Sequence, residues 1–88
     1  MTVNEKRGGD SVSYAVRVKR EQMNELRRLT RKNETEMAKT IGVSRGTYRR
    51  AMEGENVSAA FIAGASLGFQ VPFDSLFYTV ETATKQAA

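Results

Sequence analysis

Asn33-Glu-Thr-Glu-Met-Ala-Lys-Thr-Ile-Gly-Val-Ser-Arg-Gly-Thr-Tyr-Arg-Arg-Ala-Met-Glu-Gly54 decides the fold of this 88-residue chain. Asn33, with Glu36 three residues later, is a capping-box start. Its amide oxygen can accept from an orphan N–H, and the carboxylate lies at the positive helix end. Met37, Ala38 and Ile41 follow as a compact apolar stripe at helical spacing. Gly42 ends that helix, because a residue without Cβ enters the left-handed conformation at little cost. After Val43, Ser44 is a second N-cap, and a helix over Arg45–Met52 stops near Gly54. The stretch predicts two helices of about eight residues joined by a short turn that contains Gly.

Upstream, Val12, Tyr14, Val16 and Val18 alternate with Ser11, Ser13, Ala15 and Arg17. Period-2 alternation with β-branched residues favours a strand; a first helix that begins early is the competing reading. From about Lys19 the period lengthens, and Met23, Leu26 and Thr30 form the stripe of an amphipathic helix to about Leu29. Met1–Asp10 is polar, ends in Gly8-Gly9 and reads as a mobile arm.

Composition narrows the function classes. The chain has no His and no Cys, so the commonest general base, the commonest metal ligand and any thiol nucleophile are missing. The carboxylates sit at caps or on surfaces with no pairing signal, so neither an enzyme, a cofactor nor a metal site is expected. No run approaches the roughly 20 apolar residues of a membrane span, and Met1–Asp10 lacks the apolar centre of a secretion signal. A small, soluble, cytoplasmic domain is the expectation. The formal charge is +4, and it is unevenly spread. Residues 17–50 carry eleven basic and four acidic groups, a net +7, whereas residues 51–88 carry one basic and four acidic groups, a net −3. Charged helix faces are common, but a concentrated +7 suits a polyanionic partner.

The paired helices match the helix-turn-helix motif, and Glu34–Gly54 resembles that motif in the Xre/Cro family of phage and bacterial repressors. Ala38 falls where the family has a small residue for close helix approach, and Gly42 falls on the turn glycine. Met37, Ile41, Val43, Tyr48 and Ala51 fall on buried positions. Ser58-Ala-Ala-Phe-Ile-Ala-Gly-Ala-Ser-Leu67 resembles the fourth helix. Gly68-Phe-Gln-Val-Pro-Phe-Asp-Ser-Leu-Phe77 is similar to the family's ending with its short fifth helix. The resemblance spans roughly residues 19–77. It implies a compact, mainly α, five-helix, lambda-repressor-like domain over residues 11–77, with short β segments at the N- and C-terminal ends. The chain departs from the family at Lys32, where an apolar residue is usual, and at Glu34, where a phosphate-binding Gln is common. It departs again at Glu53, Glu55 and Asn56, where the loop often carries basic contacts.

What the resemblance implies is a sequence-specific regulator of double-stranded DNA, of phage or plasmid repressor type, that inserts helix 45–52 in the major groove. By family position Arg45, Gly46 and Arg50 read bases, with Thr47 and Arg49 flanking them. Arginine bonds guanine O6 and N7 bidentately, worth about 1–3 kcal/mol of discrimination, so guanine-containing half-sites are expected. Asn33, Thr35, Lys39, Ser44, Asn56 and Ser58 are the candidate phosphate contacts. Gly46 costs about 1 kcal/mol of helix propensity relative to Ala, and its use is close backbone approach to DNA. Tyr48 reads as core, and Phe61, Ile62, Leu67, Phe69, Val71, Leu76 and Phe77 read as core with a dimer surface as the alternative for some of them. Arg27 and Arg28 suit internal or surface ion pairs, and Arg31 and Lys32 nonspecific attraction to phosphates.

Two-fold dimers on half-sites about one helical turn apart are usual for such modules, so a homodimer is expected. Residues 12–18 and the tail 78–88 are β-prone, and either can pair with its counterpart or with the other. The alternative function is an antitoxin or protein-interaction module with secondary DNA binding.

Overall fold

The computed structural model describes residues 12–83. The expected arm at residues 1–10 and the end of the tail, residues 84–88, lie outside the described residues. In chain order the elements are β1 (Val12–Val18), α1 (Arg20–Thr30), α2 (Glu34–Ile41), α3 (Arg45–Met52), α4 (Ala59–Phe69), α5 (Phe73–Leu76) and β2 (Phe77–Ala83). The architecture is mainly helical, with a two-stranded antiparallel sheet made from the two ends of the described chain.

The caps act where the side chains can supply them. Asn33 Oδ1 accepts from the Glu36 backbone N–H at 2.8 Å, and Glu36 Oε1 accepts from the Asn33 N–H at 2.8 Å, completing the box. Ser44 and Ser58 cap α3 and α4 through the N–H groups of Thr47 and Phe61. Gly42 closes α2 at φ 94°, a left-handed geometry that favours glycine. α1 ends instead on Arg31 at φ 57°, with the Arg31 and Lys32 N–H groups returning to the carbonyls of Arg28 and Arg27.

The core gathers one to three side chains from every element. Val18, Met23, Met37, Ala38, Ile41, Tyr48, Ala51, Phe61, Ala65, Leu76 and Phe77 are buried. Phe77 stands where α5 gives way to β2, with its ring edge-on to Phe61 and stacked with Phe73. That junction ties the sheet to the helices. The backbone of Lys19 donates to Leu76 O at 2.7 Å, extending the strand ladder to the start of α1. Leu67, read from sequence as core or dimer surface, is not in the core: it is 79% exposed. At about 100° per residue it points some 200° away from Ala65, which faces inward on the same helix.

α2 and α4 pack unusually close. A methyl group at Gly64 would overlap the Ile41 carbonyl, and one at Gly68 would collide with the Thr40 carbonyl. The glycines therefore form a groove on α4 that receives the last turn of α2.

The sheet pairs Val18 with Phe77, Val16 with Thr79 and Tyr14 with Glu81, with the intervening residues in the same register. Residues 78–83, read from sequence as part of a β-prone tail, lie in a strand that pairs with β1 of the same chain. Val57 N–H donates to Val16 O at 2.9 Å, so the loop before α4 meets the outer side of β1.

Candidate functional site

α3 supplies the basic surface. Its inward face holds Tyr48 and Ala51, both buried, and Arg45, Gly46, Arg49 and Arg50 are all exposed. The 100° helical step explains the division: with residues 48 and 51 committed to the core, residues 46, 49 and 50 must face away.

The three arginines differ in their surroundings. Arg49 reaches back to Glu34 on α2, with N–O separation 3.2 Å. Arg50 donates to Thr47 Oγ1 at 3.3 Å and lies 3.9 Å from a carboxylate oxygen of Glu55. Thr47 Oγ1 in turn meets Ser44 Oγ at 2.9 Å, so cap, threonine and arginine form one relay along the first turns of α3. Among the described residues, no carboxylate lies within ion-pair distance of Arg45.

The candidate phosphate contacts are spread over two sides of α3. An open groove of about 270 Å³ is lined by Arg27, Asn33, Glu34, Thr35 and Arg45, which brings two of them beside the unpaired arginine. Lys39 is exposed on the last turn of α2. Asn33, Ser44 and Ser58 spend a side-chain oxygen on their caps. Asn56 Oδ1 is occupied by Arg17 Nε at 3.0 Å, which leaves its amide NH₂ as the donor to a ligand. Two of the acidic residues near α3 have partners here: Glu34 holds Arg49, and Glu55 lies beside Arg50. Lys32 is half-buried, and its carbonyl accepts from Arg27 Nε at 3.2 Å. Arg28 pairs with Glu25 on its own helix.

Sequence reading did not find a second groove, of about 380 Å³, between α1 and α3. It is lined by Arg20, Glu21, Asn24, Arg27, Glu34, Tyr48 and Met52. The i, i+4, i+7 spacing of Arg20, Asn24 and Arg27 was its only sequence signal. Arg20 donates to Met52 O at 3.2 Å across this groove. Tyr48 forms its floor, and its buried hydroxyl has no hydrogen-bond partner among the described residues. Burial pushes the phenol above its ordinary pKa, opposed by the nearby charge of Arg27 and reinforced by that of Glu34.

Compared with protein-family models, curated proteins and solved structures, the chain finds no match. Its site is therefore read from its own geometry. Among the described residues no three His, Cys, Asp or Glu side chains cluster as metal ligands. No described helix is long and apolar enough to cross a membrane.

Proposed function

We propose that this chain is a sequence-specific, double-stranded-DNA-binding regulator of the Xre/Cro type. In this reading α2, the Gly42 turn and α3 form a helix-turn-helix, α3 enters the major groove, and two copies occupy two-fold related half-sites. Bound over a promoter, such a dimer represses by occlusion. The observation that supports it most is the exposed arginine face of α3, with Arg45 free of any acidic partner among the described residues.

The chemistry follows from the environments. Arg45 emerges directly after the Ser44 cap, where a recognition helix meets base edges. Its guanidinium has no ion pair to break before it bonds a guanine. Arg50 is held by Thr47, which orders its side chain in advance and lowers the entropy cost of a bidentate contact. Arg49, bridged to Glu34, suits a flanking contact. Gly46 adds support of a different kind. A Cβ there would meet only the Arg50 guanidinium at 3.6 Å and Ser44 Oγ at 3.9 Å, both ordinary contacts. The free protein has room for alanine, so the use of glycine points to something outside the chain, such as close approach to a groove wall.

Selection from random duplex DNA tests the reading. It should enrich a two-fold site with guanine opposite Arg45, and the affinity should fall with salt at a log–log slope near −0.9 per phosphate neutralised. Arg45→Ala should relax preference at one position per half-site, by roughly tenfold or more. Recovery of no common sequence, with salt-insensitive binding, would sink the proposal in favour of a protein-interaction module.

A further inference from the structure

The two sides of the β ribbon are not equivalent. Because Val57 reaches Val16 O from outside, and Lys19 continues the ladder to Leu76, the backbone parity of the ribbon is fixed. Arg17–Tyr78 and Ala15–Val80 are hydrogen-bonded pairs, and Val16–Thr79 and Tyr14–Glu81 are not. It follows that the N–H and C=O groups of Thr79 and Glu81 point away from β1. Among the described residues no backbone group meets them. β1 is partly covered by the Val57 loop; β2 presents an open edge.

Of the devices that normally blunt such an edge it carries one, the exposed carboxylate of Glu81. Phe77-Tyr-Thr-Val-Glu-Thr-Ala83 contains no Pro, Gly or Lys and no bulge, and Tyr78 at 41% exposure and half-buried Val80 lie on its outward face. Two strands alone make a marginal sheet in water.

We propose that a second copy of this chain adds its own β2 to this edge, antiparallel, making a four-stranded sheet whose two-fold axis passes through Val80. This rests on the two-fold assembly proposed above and names its seam. Three observations select the occupant and the register. Val80 is the midpoint of the strand, so pairing about it overlaps all seven residues with their copies. That register sets Tyr78 against Thr82, and Thr79 against Glu81, of the second copy. An axis through Glu81 would oppose two carboxylates, and an axis through Thr79 would set Glu81 against buried Phe77. Finally, the described ribbon carries one Arg and one Glu, so it is the electrically neutral end of a chain whose excess positive charge lies elsewhere. Two copies can meet there without opposing their basic faces.

The geometry gives a direct test, because the chain has no cysteine of its own. Val80 and its copy form a non-hydrogen-bonded pair, with Cα atoms ~4.5 Å apart, within the ~4.4–6.8 Å span that a disulfide bridges. Full-length Val80→Cys, oxidised with a glutathione couple, should run as a covalent dimer on a non-reducing gel. Glu81→Cys, which faces Thr79 of the copy, should cross-link several-fold less. Thr79→Pro removes an outward N–H without touching the β1 ladder. By light scattering it should shift the mass from two chains to one at concentrations where the unaltered protein is dimeric, with an unchanged helical circular-dichroism signal. A single-chain mass for the unaltered protein at ~100 μM, or equal cross-linking of the two cysteine variants, would overturn the proposal. A mobility shift on duplex DNA separates this outcome from the functional reading. A dimer that binds no DNA leaves the seam standing and removes the regulator; a DNA-binding monomer does the reverse.

Discussion

Tyr48 carries the single buried side-chain polar atom without a partner among the described residues, and it sits in the middle of the helix that bears the basic face. A hydroxyl taken out of water with nothing to bond costs the desolvation penalty of that group. Phenylalanine keeps the ring and drops the oxygen. Tyr48→Phe should therefore raise unfolding stability by about 1 kcal/mol, measured by urea denaturation at neutral pH. The same residue carries a pH signature. Its folded pKa lies above the unfolded value near 10, so the folded state holds this proton more tightly. Its share of stability is complete below pH 10 and is lost as pH rises through the folded value. The stability advantage of Tyr48→Phe over the unaltered protein should thus widen above pH 10. A variant less stable than the parent at every pH would mean that the hydroxyl has a partner after all. The partners of Glu34 and Asn56 also belong to this scale, and spacing along the chain did not reveal them. Arg49 lies fifteen residues from Glu34, and Arg17 thirty-nine from Asn56, so both contacts depend on how the helices and the sheet come together.

At the scale of elements, what was legible follows from what acts locally. A capping box, a left-handed glycine and a serine cap operate within four residues, and α2 and α3 run Glu34–Ile41 and Arg45–Met52 between those signals as expected. The alternation of Val12–Val18 announced a strand. It left the partner open between a second copy and the β-prone tail, because Ser13 and Thr82 lie 69 residues apart and no local signal joins them. Nor did periodicity reveal the α2–α4 contact, since two glycines in an apolar helix read only as weak helix formers. Their role gives one substitution two opposite outcomes. Gly64→Ala places a methyl on the Ile41 carbonyl and must separate α2 from α4. It should cost about 3 kcal/mol, more than the ~1 kcal/mol that alanine returns in helix propensity. Gly46→Ala meets no close neighbour in the free protein and should gain up to about 1 kcal/mol. Thermal denaturation of the two variants should move the midpoint in opposite directions. A common direction would mean that helix propensity, and not packing, governs α4.

For the whole molecule the governing quantity is the distribution of charge, which needed only a division of the sequence to be seen. The net +7 of residues 17–50 is folded into the end of β1, α1, α2, α3 and their turns, against ion pairs from Glu25, Glu34 and Glu55. Those three pairs are exposed and each contributes about 0–1 kcal/mol, so they cannot cancel the repulsion among the remaining cations. Salt acts on both terms. Between about 10 and 150 mM the screening length falls from ~30 Å to ~8 Å, which quiets repulsion between distant arginines more than attraction within a contact pair. Sodium chloride should therefore stabilise the free protein. A relief of about 0.5 kcal/mol raises the midpoint by roughly 2–4 °C in a domain of this size. DNA affinity, under the proposed function, should move the opposite way. A face that neutralises about six phosphates loses about a thousandfold between 50 and 200 mM salt. Measured on one preparation, the two trends should cross: a protein more stable and less tightly bound as salt rises. A midpoint that falls with added salt would show that the ion pairs outweigh the unmatched cations, and would remove the reason for assigning this face to a polyanion.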